Sequence, residues 1–542
     1  MACLPVSLIW APRIAGLMTT SRLSSFTGSQ PNHSTTVRMP SNWLWLVAIG
    51  SLLWRLWVSA ALPLTGDEAL FYWWARFLDY GYYDHPPMVA WWMAAARALL
   101  GDANWAVRMP ATLLPLGVGW AMWWAWSPVS RERAAWAVLL YWLAPVNWLN
   151  AMIATDSPLI LWAAWSAAAM VRAEHAVSQG QGGGRAYRFY ALSGLFMAAA
   201  MLSKYFAVLL GLAYVVYFAL FARARWRGFA VMVLCALPGV AVNLHWNLYH
   251  CWTNIMFNLF NRNEDAVASW DTVLSYVGMM AYLISPVLLW MGWQHRAALM
   301  QTVRRHTLLT CVAVVPLLLF GLMSAKKVIG LHWVMGFYPF AFVLLALALP
   351  DGKALSATAK GLTVILVLHL LASVALALMG LHQWQHFRYY HRLVEAARSE
   401  QMVQQVQAPG IVLASNGYSS AAIFGYAAKT HVPVLGMGSV HARQDDLTVD
   451  YRALDGKTIR VMATREPSVE DYRPYFDQVR LLRYEQDGAP FWAVEGVNFH
   501  FDVYREVVMA EVNRRYYRFP AWLPIKGCVF CQRLCGANRC AP

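Results

Sequence analysis

Nine side chains able to move protons or hold anions fall where apolar runs of this chain end: Asp67, Glu68, Asp84, His85, Asp156, Lys204, Lys326, Lys327 and His332. A carboxylate in such a place can take a proton from a hydroxyl, and a lysine or histidine can steady a departing anion. The plain alternative is anchoring, since a charge at the end of an apolar run reaches interfacial water at little cost. Asp156 resists that account. In "NAMIATDSPLILWAAW" it lies in a very short turn between two apolar runs, where straying toward a bilayer centre would cost about 2.5–3.5 kcal/mol, so it is expected to face a polar cavity. Tyr82 and Tyr205, next to Asp84 and Lys204 in the chain, join these as candidate substrate contacts.

The elements that must position these residues are apolar helices. Of the 542 residues, 59% are hydrophobic, 13% are charged and 29 are tryptophan, a composition that buries most of a chain in lipid. Runs near 42–62, 106–126, 134–149, 158–172, 188–202, 206–222, 228–245, 273–293, 307–323, 333–349 and 361–379 predict about eleven transmembrane helices. With the N-terminus in the cytoplasm, the inner loops hold Arg131, Arg133, Arg172, Arg185, Arg188, Arg223, Arg225, Arg227, Arg296, Arg304, Arg305, Lys353 and Lys360 against Glu132, Glu174 and Asp351. The outer loops are acidic in balance, as the positive-inside rule requires. The net charge of +15 is therefore read as membrane topology, with no nucleic-acid partner. All nine residues then share the outer side.

In the outer stretch "LTGDEALFYWWARFLDYGYYDHPPMVAWW" (64–92), Asp67 and Glu68 precede an aromatic segment that suits a helix lying along the interface. Gly81 and Pro86-Pro87 are expected to stop it, and the prolines to hold Asp84 and His85 extended. A divalent metal is left open: Asp84 and His250 are ligand types, but no ligand spacing predicts a site.

"GDEALFYWW…LDYGYYDHPPMVAWW", followed in order by "TDSPLILWA", "LSKYFAVLL" and "HWNLYHCWTNIMFNLFNR", resembles the bacterial glycosyltransferase family 39 proteins. These are related to protein O-mannosyltransferases and to lipid A aminoarabinose and galacturonic acid transferases, and the resemblance covers about residues 42–430. It implies a GT-C fold: a membrane bundle whose outward cavity transfers a sugar from a polyprenyl-phosphate donor to a lipid, glycan or protein acceptor with anomeric inversion. It also implies a bacterial inner membrane location, with the site on the periplasmic side. By motif position Asp67 matches the family's first-loop aspartate, the general base, with Glu68 beside it. Asp84 and His85 match an acidic-basic-Pro-Pro element near the donor phosphate, and Asp156 and Lys204 match further cavity positions. Inverting transfer needs one base and a ready leaving group, with Lys204, Lys326 and Lys327 as phosphate candidates. A transporter or flippase for a lipid-linked sugar is the competing class, although no internal repeat is visible and the charges cluster at outer ends rather than at the midplane.

Four regions follow: a cytoplasmic segment 1–41, in which Met39 is a candidate start; a transmembrane glycosyltransferase domain 42–379; a small periplasmic α/β domain 380–525; and a Cys-rich tail 526–542. In the third, "GIVLASNGYSSAAIFGYAAK" predicts strand, turn and helix, and "HVPVLGM", "TIRVMAT", "QVRLLRYE" and "FWAVEGV" predict strands. "GQGGGR" (180–185) reads as a linker, lacking the strand a phosphate loop follows. Cys528, Cys531, Cys535 and Cys540 of the tail allow disulfides or a metal, and an accidental extension is the leading expectation.

Overall fold

The computed structural model describes residues 41–260, 268–436 and 442–534; the expected segment 1–41, Cys535 and Cys540 fall almost wholly outside them. Every apolar run folds as helix: Ser41–Ala61, Met109–Trp126, Arg131–Leu143 continued by Pro145–Leu149, Asp156–Ser178, Gly184–Met201, Ala207–Leu220, Trp226–Tyr249, Trp270–Ile284 with Pro286–Gln294, Thr307–Ser324, Pro339–Ala348 and Gly352–Leu378. Four of the described helices are long and apolar enough to cross a membrane by themselves, or five when the pair bent by 82° at Ser285 counts as one span.

Close packing holds the bundle together. Arg55 is 1% exposed, and its guanidinium donates to the carbonyls of Thr112 (3.1 Å), Asn147 (2.6 Å) and Ala111. Those acceptors compensate a charge buried inside a helical span. Helices Gly184–Met201 and Trp226–Tyr249 touch backbone to backbone: a Cβ on Gly194 would come within 2.2 Å of the Met232 carbonyl oxygen, and one on Gly239 within 2.5 Å of that of Ala198. Small residues at a crossing permit this approach.

After residue 390 the chain forms a four-stranded sheet in the order β1-β2-β4-β3, with β1 (Val412–Ser415), β2 (Ile459–Ala463), β3 (Phe476–Gln486) and β4 (Ala489–Phe499). β1 and β2 are parallel; the other pairings are antiparallel. Asp487 and Gly488 turn β3 into β4 with φ of 47° and 78°, the left-handed pair that an Asp-Gly hairpin turn takes. "HVPVLGM" does not form the expected strand: among the described residues it contributes one bridge, Val434 to Ser415.

This region is fused to the bundle's loops. One of its cores gathers Tyr83, Trp246, Cys251 and Phe257 with Val461, Val494 and Phe499 of the sheet. The Gly66–Arg76 helix packs against Tyr418–Ala428, and Trp73 Nε1 donates to the Ala422 carbonyl at 3.3 Å. Its aromatic side chains Phe71, Tyr72, Trp73 and Trp74 are buried among protein, which corrects the expectation of a helix lying on the interface. It also ends at Arg76, well before Gly81.

Candidate active site

The Gly66–Arg76 helix starts where it does because Thr65 and Glu68 form a capping box: the Thr65 hydroxyl accepts from the Glu68 N–H at 3.3 Å, and Glu68 Oε2 accepts from the Thr65 N–H at 3.0 Å. This fixes the first helical turn, and consecutive side chains there point about 100° apart. Asp67 therefore faces the cavity while Glu68 faces inward. Glu68 is 1% exposed and is gripped by Arg108, whose Nε and Nη2 donate at 2.7 and 2.6 Å, with the Ile153 N–H donating at 2.9 Å. Expected as a second catalytic carboxylate, it is instead the hub that ties the first-loop helix to two neighbouring elements.

The Asp84-His85 loop is held from several sides. Tyr82 stacks on Trp74 at 4.5 Å and donates its hydroxyl to the Trp74 carbonyl at 2.9 Å. Asn254 and Asn258 donate to the carbonyls of Tyr82 (2.6 Å) and Asp84 (2.9 Å), and Gln444 accepts from the Tyr83 N–H at 2.8 Å. The loop is a series of bends rather than an extended stretch. Asp156 opens its helix and meets Lys204 Nζ at 2.6 Å, with His332 Nε2 at 3.8 Å.

Together these elements enclose a cavity of about 370 Å³, lined by Asp67, Asp84, His85, Asp156, Lys204 and His332, with Phe257, Trp333, Tyr418, Arg443 and Tyr516 among its other walls. Six of the eleven residues singled out from sequence thus meet. Tyr82 is 0% exposed and acts from beneath, in a narrow crevice beside Trp73 and Trp74. Tyr205 is half-buried and Lys326 exposed, and neither lines the cavity; Lys327 lies at its edge, 5.9 Å over the Trp333 ring. His250 has its Nδ1 2.8 Å from the Trp246 carbonyl and its other nitrogen 4.0 Å from Asp79. The one group of three or more candidate ligands among the described residues, Cys251, Cys528 and Cys531, includes neither Asp84 nor His250.

Arg443 is the residue that sequence reasoning missed. It comes from the region of the sheet, meets Asp84 Oδ2 at 3.1 Å across a separation of 359 residues, and lies 4.1 Å over Tyr418 and 5.0 Å over Phe257. Its φ of 55° is a strained value for a residue with a Cβ, worth about 1–3 kcal/mol, and strain of this kind gathers at functional sites. No local pattern in the sequence around it signals this contact.

The carboxylates differ in their electrostatic settings. Asp84 is paired with Arg443 and Asp156 with Lys204. Asp67 carries no ion pair among the described residues and stays accessible to the cavity. Enclosure by protein, then the charge of Asp84, raise its pKa above the usual 3.8, against the opposing pull of Arg443 and His332. A carboxylate raised in this way, free of a fixed cation and facing a cavity, is equipped to accept a proton.

Residues 84–246 match the family model described as dolichyl-phosphate-mannose-protein mannosyltransferase. The lipid A galacturonosyltransferase of Rhizobium johnstonii is 25% identical over 341 residues, covering 59% of this chain and 69% of that protein. The undecaprenyl phosphate-alpha-4-amino-4-deoxy-L-arabinose arabinosyl transferase of Shewanella sediminis is 29% identical over 180 residues, 32% of this chain and 31% of its own length. In fold, the chain matches the crystal structure of ArnT from Cupriavidus metallidurans in the apo state, with a TM-score of 0.61, 15% identity and coverage of 84% of this chain and 98% of that one. A crystal structure of the same protein bound to undecaprenyl phosphate matches with a TM-score of 0.60 at 14% identity. The chain is a membrane glycosyltransferase with the fold of ArnT, similar over residues 84–246 to the dolichyl-phosphate-mannose-protein mannosyltransferase family.

Proposed function

We propose that this protein transfers a sugar from a polyprenyl-phosphate donor to a hydroxyl of a lipid, glycan or protein acceptor on the outer face of the inner membrane, with inversion at the anomeric carbon. The observation that carries the reading is the cavity itself, which joins one unpaired, raised carboxylate, Asp67, to the cations Lys204 and Arg443. Asp67 takes the proton of the attacking oxygen. The new glycosidic bond forms as the anomeric carbon–phosphate oxygen bond breaks, and the electron pair leaves with the lipid phosphate. Lys204, with Arg443, stabilises that charge, while Asp84 and Asp156 hold the two cations in place. His85 and His332 are further polar contacts on the wall.

The topology follows the same plan, with a cytoplasmic N-terminus, about eleven crossings over 42–379, and the 380–525 region outside. The Asp156–Ser178 helix supports it. Asp156 lines the cavity, whereas Glu174, about 27 Å along the axis, accepts from Tyr190 and Tyr217 at 2.6 Å each and pairs with Arg225, a basic residue of an inner loop. The separation approaches the thickness of a hydrocarbon core. Tail residue Cys528 is bonded to Cys251, a linkage that persists in an oxidising outer compartment. The test is a proteoliposome assay with a polyprenyl-phosphate sugar labelled in the sugar. Sugar gained by an acceptor in step with release of polyprenyl phosphate is the expected result. Movement of intact donor across the bilayer without cleavage would establish the transporter reading instead.

A further inference from the structure

Three sulfur atoms meet just before the Thr253–Leu259 helix. Cys251 and Cys528 are joined by a disulfide across a separation of 277 residues, and the Cys531 Sγ lies within 4.8 Å of both of their sulfurs. Cys528 immediately precedes the short helix Val529–Leu534 and Cys531 lies in its first turn, the two-residue spacing at which paired cysteines exchange disulfides. The Cys531 N–H donates to the Cys528 Sγ at 3.4 Å, and the Cys531 thiol donates to Asn513 Oδ1 at 3.9 Å. Phe530 between them is 0% exposed and stacks on Tyr517 at 3.8 Å, which fixes the turn that keeps the two sulfurs together. The other free cysteines among the described residues, Cys235 and Cys311, belong to the helices Trp226–Tyr249 and Thr307–Ser324.

A half-buried cysteine more often just fills space. What sets Cys531 apart is its two sulfur neighbours, together with the backbone to which the bond is tied. Cys251 and Trp252 hold φ of 55° and 56°, left-handed values for two consecutive residues with a Cβ, and such a conformation persists only where its surroundings impose it. Releasing Cys251 from Cys528 removes one of those constraints. The same stretch leads into the site: Asn254 and Asn258 hold the loop of Asp84, and Phe257 walls the cavity. Burial raises the pKa of the Cys531 thiol above its usual value, so attack by its thiolate is slow at neutral pH and faster in alkali.

We propose that Cys528-x-x-Cys531 is an internal thiol–disulfide exchange site, in which Cys531 takes over the bond to Cys528 and releases Cys251. Cys531 loses its proton to solvent and its thiolate attacks the Cys528 Sγ. The Cys528–Cys531 bond forms as the Cys251–Cys528 bond breaks, and Cys251 departs with the electron pair and is then protonated. No electrons are gained or lost overall, so the step needs neither oxidant nor reductant. It unfastens the tail from the helix that holds the Asp84 loop, and it stands independently of the transfer reading. The test is disulfide mapping of the full-length protein in detergent, held between pH 7 and pH 9, denatured at mildly acidic pH with excess N-ethylmaleimide, and digested with trypsin without reduction. At the outset the peptide 527–533, which carries Cys528 and Cys531, is expected joined to the peptide 228–262, which carries Cys251. With time at pH 9 it should appear closed on itself by its own disulfide in at least about a tenth of the molecules, with maleimide on Cys251, at a rate rising about tenfold per pH unit. Cys531→Ser should keep the Cys251–Cys528 bond and lower labelling of Cys251 at least tenfold, while Cys251→Ser isolated in air should yield the closed peptide. Persistence of the original linkage in the wild type at pH 9, equal labelling of Cys251 in Cys531→Ser, or a peptide 527–533 joined to 534–539 in place of the closed form would overturn the proposal.

Discussion

Asp67 and Glu68 are neighbours of the same chemical type with opposite fates, and the difference is one of partners. Asp67 looks into the cavity under the influence of Asp84, Arg443 and His332. A base must be ionised to act, so activity should fall as pH drops through its raised pKa. Asp84→Asn removes the charge that raises it, and the acid limb of kcat/KM should move to lower pH; Arg443→Gln removes a charge that lowers it, and the limb should move up. A pH profile of each variant decides. The linkage sign is also fixed. A carboxyl whose pKa is higher folded than unfolded favours folding when protonated and opposes it when ionised, so at neutral pH the wild-type Asp67 is destabilising. Asp67→Asn should therefore raise Tm at pH 7, with the gain vanishing in acid, as thermal unfolding in detergent would show. The Thr65-x-x-Glu68 capping pattern was present in the sequence and could have marked Glu68 as structural. Arg443 could not be found that way, because its contact with Asp84 spans the two halves of the chain.

The Gly66–Arg76 helix and the loop after it hold the site, so damage there should be structural before it is chemical. Glu68→Ala leaves Arg108, itself 1% exposed, as a buried charge without its carboxylate, and should cost about 3–5 kcal/mol, read as a large drop in Tm and in folded yield. The Cys251–Cys528 bond closes 277 residues of chain, and Cys251→Ser should cost about 2–5 kcal/mol, a loss reproduced in the wild type by a reductant. That bond also corrects the expectation of an accidental tail. Phe530 is 0% exposed, and Lys526 and Gly527 donate their N–H groups to the Leu248 carbonyl at 2.8 and 3.2 Å, so the described part of the tail belongs to the fold. The eleven apolar runs were legible as helices because a long apolar run can satisfy its backbone polar groups within a helix. The buried aromatic helix was misplaced because its cover, Tyr418–Ala428, lies far along the chain.

For the whole molecule, the proposed orientation puts the N-terminus in the cytoplasm and the cavity outside. Arg133 donates to the carbonyls of Ala346 at 2.8 Å and Pro350 at 3.1 Å, joining helix ends that this proposal assigns to the cytoplasmic side. The cavity joins the opposite ends of its helices. Alkaline phosphatase fused after Gln407 should be active, since its own disulfides form only outside; an inactive fusion there with an active one near Arg185 would reverse the assignment. The central claim is that Asp67 is the base of a sugar transfer. The measurement that tests it most directly is transfer from a labelled polyprenyl-phosphate sugar in proteoliposomes, comparing the wild type with Asp67→Asn at equal folded amounts. The account predicts a fall of about 10²–10⁴-fold in the rate, with donor binding retained. Transfer by the variant at the wild-type rate would contradict it.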